Sequence, residues 1–236
     1  MTAPLPLRRR RLADQVLVEL RRMILVGELT PGGKITQDEL AKLLAVSTMP
    51  VREALLRLAA EGFVEASPNR SFTVVPITQA DVRDIYWMHA TLAGELTSRA
   101  CALAGPELGQ TLKRLHEQGR AAHRAGDTTA AETANWEFHR EINRAADAPK
   151  LLLMLRSSLR FIPEGFYGLV EQWAGVSDDG HADIITAISD RDPDAARAAA
   201  QAHVQSAGTL LAGFFSDTGH WTQPGSEVTD GGAHDG

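Results

Sequence analysis

The sequence predicts a mainly α protein in two parts: a small N-terminal helical module closed by a short β-hairpin, then a longer all-α antiparallel bundle. Three observations predict it. Apolar residues recur at helical spacing through most of the chain. Strand-like runs are confined to residues 63–75. Charge is divided, with 11 Lys and Arg against 8 Asp and Glu over Met1–Pro76, a balance of +3, and 13 against 22 over the remainder, a balance of −9.

With 236 residues the chain is long enough for one modest core and a second of about 150 residues. A hydrophobic share of 44% beside 23% charged residues is that of a soluble globular protein, and no run of eighteen apolar residues exists to span a bilayer. The opening segment carries Arg8 to Arg11 without a following apolar stretch, so no secretory signal is expected. The single cysteine, Cys101, excludes an internal disulfide and fits a reducing cytoplasm.

Residues 1–11 are expected to form a basic arm, either lying along phosphates or solvated. The first helix is predicted from Leu12 to Val26, with Val16, Leu20, Met23 and Ile24 on one face and Gly27 ending it. Gly27–Gly33 is a turn-rich connector. A short helix follows from Gln37 to Leu44, with Thr36 as N-cap and Leu40, Leu43 and Leu44 inward. Ser47 then caps a helix from Met49 to Glu61, whose inward residues are Val51, Leu55, Leu58 and Ala59. Phe63–Ala66 and Ser71–Val75 read as two strands about a Ser67–Arg70 turn. Three helices and a two-stranded wing make residues 12–76 a winged helix-turn-helix. In such a module the second helix of the motif enters the major groove by its N-terminal end, where an Arg can donate two bonds to a guanine. Ser47, Thr48, Met49 and Arg52, with Asn69 and Arg70 in the wing turn, are therefore candidate DNA contacts. The bland alternative pairs Arg52 with Glu53 or Glu61 on the surface.

From Thr78, which caps the next segment, the pattern is helical throughout. The predicted helices are Ala80–Ala104 (Val82, Ile85, Met88, Leu92 and Leu96 inward), Leu108–Ala125, Thr129–Ala146, Pro149–Trp173 with a bend at Pro163, Ser177–Ser189 and Pro193–Phe215. Residues 78–215 thus form an all-α antiparallel bundle. The Gly- and Asp-rich tail, 216–236, is expected to be disordered.

Within the bundle, Asn135 and His139 lie four residues apart on a face shared with Ala131, Phe138 and Ile142. His181 shares its face with Ile184, Ile185 and Ile188, and His203 with Ala199, Ala200, Ala207 and Leu210. Three inward histidines and an amide from three helices supply donors that zinc or nickel prefers, with coordination positions left open. Each histidine taken alone reads more readily as a satisfied core residue, and their joint placement shifts the balance. Glu137 is expected to face away from the Asn135 and His139 side, which leaves no evident general base.

Two sets of motifs carry a family resemblance. Gly27-Glu28-Leu29-Thr30-Pro31-Gly32, Leu40-Ala41, Val46-Ser47, Pro50-Val51-Arg52-Glu53-Ala54-Leu55, Leu58 and Glu61-Gly62 resemble the N-terminal domain of GntR-family transcription regulators. Thr48 and Met49 stand where that family usually has Arg and Thr, and Ser71 follows Arg70 where it usually has Gly. The Asn135–His139 spacing, the run His181–Ile188, Arg191-Asp192-Pro193 and Ala202-His203 resemble the FadR-type C-terminal (FCD) domain of one GntR subfamily. That resemblance implies a dimerising helical domain that holds a small carboxylate effector, often at a metal bound by one Asp and three His. Asn135 takes the Asp position, and His139, His181 and His203 take the others. His89 and Ala93 stand where the subfamily often has Arg and Glu, so His89, Arg156 and Arg160 are the candidate effector contacts.

The expected protein is a cytoplasmic, homodimeric, non-enzymatic repressor that binds a palindromic double-stranded operator and answers to a small organic acid at a divalent metal site. The alternatives are a regulator whose effector is the ion itself and a metal-dependent hydrolase or lyase.

Overall fold

The computed structural model describes residues 7–67, 71–162 and 173–217. The wing-turn candidates Asn69 and Arg70, the bend at Pro163 and all of the tail beyond Asp217 lie outside the described residues. Two compact units partition the chain, one on residues up to Thr78 together with those from Phe215 on, and one on Gln79–Phe214.

In the first unit α1 spans Leu7–Leu25. It starts five residues before the expected Leu12, so Arg8 to Arg11 continue the helix rather than precede it; arginine is a good helix former and nothing between Leu7 and Leu12 breaks the backbone. Val16, Leu20, Met23 and Ile24 are buried on its inner face together with Ala13 and Leu17. Gly27, at φ 78°, closes the helix in the left-handed conformation, with Leu29 N–H donating back to Met23 C=O at 3.0 Å. α2 (Gln37–Leu43) opens with a full capping box, in which Thr36 and Glu39 each accept from the other's backbone N–H. α3 (Thr48–Ala60) packs on α1 through Val51, Ala54, Leu55 and Leu58.

The sheet has one strand more than expected. β1 (Lys34–Thr36) pairs antiparallel with β3 (Ser71–Val74), which also pairs with β2 (Val64–Ser67), giving the order β1-β3-β2. A three-residue strand offers one inward side chain, Ile35 opposite Phe72, which is too little for a period-two pattern to register.

The second unit contains α4 (Gln79–Leu103), α5 (Glu107–Arg124), α6 (Thr128–Ala145), α7 (Pro149–Ser158), α8 (Trp173–Ser189) and α9 (Pro193–Asp217). Asp127 and Asp192 cap α6 and α9 by accepting backbone N–H bonds. Leu96, Leu112, Phe138, Ile142, Leu155 and Ile184 form the centre of the core. Three expectations are corrected. The helix from Pro149 stops at Ser158 and passes through a 3-10 turn, Leu159–Phe161, to an extended Ile162. Trp173 opens α8 instead of closing the preceding helix. The inner face of α4 runs through Val82, Tyr86, Ala90, Gly94 and Thr97, and Met88 is 36% exposed. That rotation follows from close packing on α9, where a Cβ on Gly94 would stand 2.7 Å from Gln201 Cγ.

Candidate functional site

The N-terminal end of α3 projects into solvent. Burial of Val51, Ala54, Leu55 and Leu58 along one stripe places Thr48, Met49 and Arg52 on the opposite, exposed face. Ser47 occupies the N-cap position with extended backbone, and its hydroxyl makes no capping bond. Surface pairing does not hold Arg52: Glu61 accepts instead from Arg21 at 2.5 Å, and among the described residues Arg52 makes no ion pair. Arg57, one turn on, is tied to Asp14.

In the bundle, α6, α8 and α9 bring His139, His181 and His203 together, each offering a ring nitrogen, with all three nitrogens within 4.8 Å of one another. His139 and His181 approach through their Nε2 atoms at 3.4 Å. The centroid of the His203 ring is 5.3 Å from that of His139 and 4.9 Å from that of His181. Phe138 belongs to the core and stacks flat on His181 with centroids 3.9 Å apart, which fixes the plane of that imidazole. Asn135 precedes His139 by one helical turn, is buried, and lines the same cavity as His139 and His203.

Burial sets the protonation of this cup. Removal from water disfavours the imidazolium, so the His139 and His181 pKa values fall well below the usual histidine range and His203 is lowered to about 4. Neighbouring histidines push His139 and His181 down further. At neutral pH all three rings are therefore uncharged and carry the lone pairs that a cation needs. Among the described residues, Asn135 Oδ1 and His203 Nδ1 are buried without a hydrogen-bond partner, an arrangement that costs about 1–3 kcal/mol per atom unless something else satisfies them. Three neutral imidazoles and an unsatisfied amide oxygen fit a divalent transition-metal ion.

His139 and His203 open onto a cavity of about 700 Å³ bordered also by Asn135 and, from α4, by His89. Burial lowers the His89 pKa to about 4, and the nearby His203 adds to the effect. Arg156 lines this cavity, whereas Arg160 is exposed and is not part of the lining among the described residues. Two arginines that sequence reasoning passed over, Arg140 and Arg144, also line it. Glu137 contributes to the wall despite its helical position and pairs with Arg140 at 3.3 Å. A carboxyl-bearing ligand is the kind that such a cavity, apolar within and rimmed by guanidinium groups, can hold.

Residues 12–74 match the pattern described as bacterial regulatory proteins, gntR family, and residues 84–206 match the FCD domain. The chain belongs to the GntR family. An uncharacterized HTH-type transcriptional regulator of Mycobacterium tuberculosis is 28% identical to this GntR protein, over 86% of this chain and 82% of its own. The Nta operon transcriptional regulator of Aminobacter aminovorans is 31% identical over 74% of this chain and 82% of its own. Escherichia coli McbR/YncC, a solved structure, shares the fold with a TM-score of 0.65 at 23% identity, covering 86% of this chain and 98% of that one. The GntR protein is thus a DNA-binding transcription regulator with an FCD domain, and its family and relatives are regulators rather than enzymes, which sets aside the hydrolase or lyase reading. Among the described residues no helix is long and apolar enough to cross a membrane.

Proposed function

We propose that this GntR regulator is a homodimeric repressor whose FCD domain binds a small organic acid together with a divalent metal, zinc or nickel. The observation that carries the reading is the cup itself: His139, His181 and His203 with neutral rings, beside the unsatisfied Asn135 Oδ1, at the floor of an arginine-rimmed cavity. A cation bound there supplies positive charge and open coordination positions to an acid. Asn135, His139, His181 and His203 hold the ion, while His89 and Arg156 position the acid and the apolar walls exclude water. Arg160 completes the effector set only by moving into the cavity.

On the DNA side, Ser47, Thr48, Met49 and Arg52 of each recognition helix contact one half-site of a palindromic operator, and Asn69 and Arg70 of the wing contact its flank. The unpaired state of Arg52 supports its availability to a base edge or a phosphate. Repression agrees with a relative 25% identical over 88% of this chain, the HTH-type transcriptional repressor RspR of Escherichia coli. To act as a switch, the acid must bind the DNA-competent and DNA-incompetent arrangements with different affinity.

The test pairs elemental analysis with operator titration. Metal is expected in the purified protein and absent from His139→Ala, and release from operator DNA should need the acid and fail after chelation. Equal metal content in the two proteins overturns the assignment. Release by metal alone makes the ion the effector.

A further inference from the structure

We propose that the cation enters the histidine cup from the side opposite the acid, through a second cavity between α5, α6 and α8. The proposal rests on the metal reading above and adds a route to it.

The second cavity has a volume of about 180 Å³. His181 lines it and does not line the larger cavity, whereas His139 and His203 line only the larger one. Asn135 and Trp173 border both. The cup is therefore the partition between two cavities, reachable from either.

The two sides carry opposite charge. Among the described residues, Arg140, Arg144 and Arg156 line the large cavity against one lining acid, Glu137; Arg140 pairs with Glu137 and Arg144 with Glu141, which leaves a surplus of one positive charge from Arg156. Glu132 and Asp178 line the small cavity against Arg120. A cation is repelled from the first mouth and drawn to the second, and an anion experiences the reverse.

The small cavity also offers imidazoles in series. His123 is exposed, His116 is half-buried, and His181 is buried. The His116 ring meets His181 edge-on with centroids 5.9 Å apart. An ion that sheds water on its way inward finds a replacement donor at each stage. Arg120 and Asp178 pair at 3.2 Å along the same wall, so that opening the pair presents a carboxylate to an arriving ion. Among the described residues, only His139, His181 and His203 converge closely enough to retain a metal, which makes the outer groups a passage and not a second site.

The experiment is stopped-flow uptake of cobalt(II) by the full-length, metal-free protein, read from the visible absorbance of the coordinated ion. His116→Ala combined with His123→Ala should slow uptake about tenfold, as should Asp178→Asn, with the final spectrum unchanged. Gly119→Leu tests the passage by volume: its Cβ would meet only Ala134 Cβ, at 3.5 Å, and its side chain fills the lining, so uptake should slow again. Arg156→Ala should not slow it. Wild-type uptake rates in the double variant and in Gly119→Leu overturn the route while leaving the cup intact. A changed final spectrum in the double variant makes His116 a ligand and also overturns it. A wild-type protein that shows no cobalt spectrum dependent on His139 overturns the metal reading and the route together.

Discussion

Gly180 makes room for His203: a Cβ at position 180 would lie 2.9 Å from Cγ and 3.0 Å from Cβ of that histidine. Gly180 precedes His181 on α8, so one helix both carries one histidine of the cup and yields space to another from α9. Gly180→Ala should displace the His203 ring, cost about 1–3 kcal/mol in denaturant unfolding and lower metal content. Gly175→Ala is the control in the same helix, because its Cβ would meet nothing within 4 Å. It should be neutral or add up to about 1 kcal/mol. Equal losses from both substitutions would refute the steric account.

Acid should destabilise the metal-free protein through its buried histidines. An unfolded imidazole takes up a proton near pH 6.5, but His89 and His203 resist it down to about 4, and His139 and His181 are lowered as well. Between those limits the unfolded chain binds more protons, so stability is complete above about pH 6.5 and falls as the pH drops towards 4. Urea unfolding at successive pH values should show this slope, and His203→Gln should flatten it.

Arg52→Ala should weaken operator binding by about 1–3 kcal/mol and relax preference at one base pair of each half-site. Arg57→Ala, which removes a partner of Asp14 at the surface, should leave binding nearly unchanged. Fluorescence anisotropy with single-base operator variants separates the two. A uniform loss across all variants would assign Arg52 to a phosphate instead.

Phe138 is fully buried and stacks on His181, so it serves both the core and the cup. Phe138→Ala should cost about 3–5 kcal/mol in unfolding free energy. Phe138→Leu should cost less than about 1.5 kcal/mol yet weaken metal binding, because an aliphatic chain does not fix the imidazole plane. Isothermal titration with zinc reads the second effect; unchanged affinity would mean that α8 alone orients the ring.

Much of this was legible from periodicity. Long amphipathic stretches announced α1, α4, α5, α6 and α9, and faces shared with Phe138, Ile184 and Ala200 pointed Asn135, His139, His181 and His203 inward before any contact between helices was known. What escaped was set by tertiary context. Strand β1 exists because β3 offers it an edge, and Ile35 alone does not announce it. Gly180 reads as a weak point in a helix until its neighbour on α9 is seen. Arg140 and Arg144 pair with Glu137 and Glu141 at helical spacing and so read as a solvated face, although both border the cavity. Residues from Leu159 onward remain apolar enough to extend α7, and only the switch to a 3-10 turn after Ser158 marks its end.

Asn135 bears on the life of the protein before any ion arrives. A buried carboxylate at that position would have to be protonated, or paired with a cation, for the bundle to close around it. An amide beside three uncharged rings carries no such debt, so the empty cup can be kept assembled while metal is scarce. Under the proposed metal reading, the regulator then waits in its folded form, and metal supply governs its readiness to sense rather than its survival.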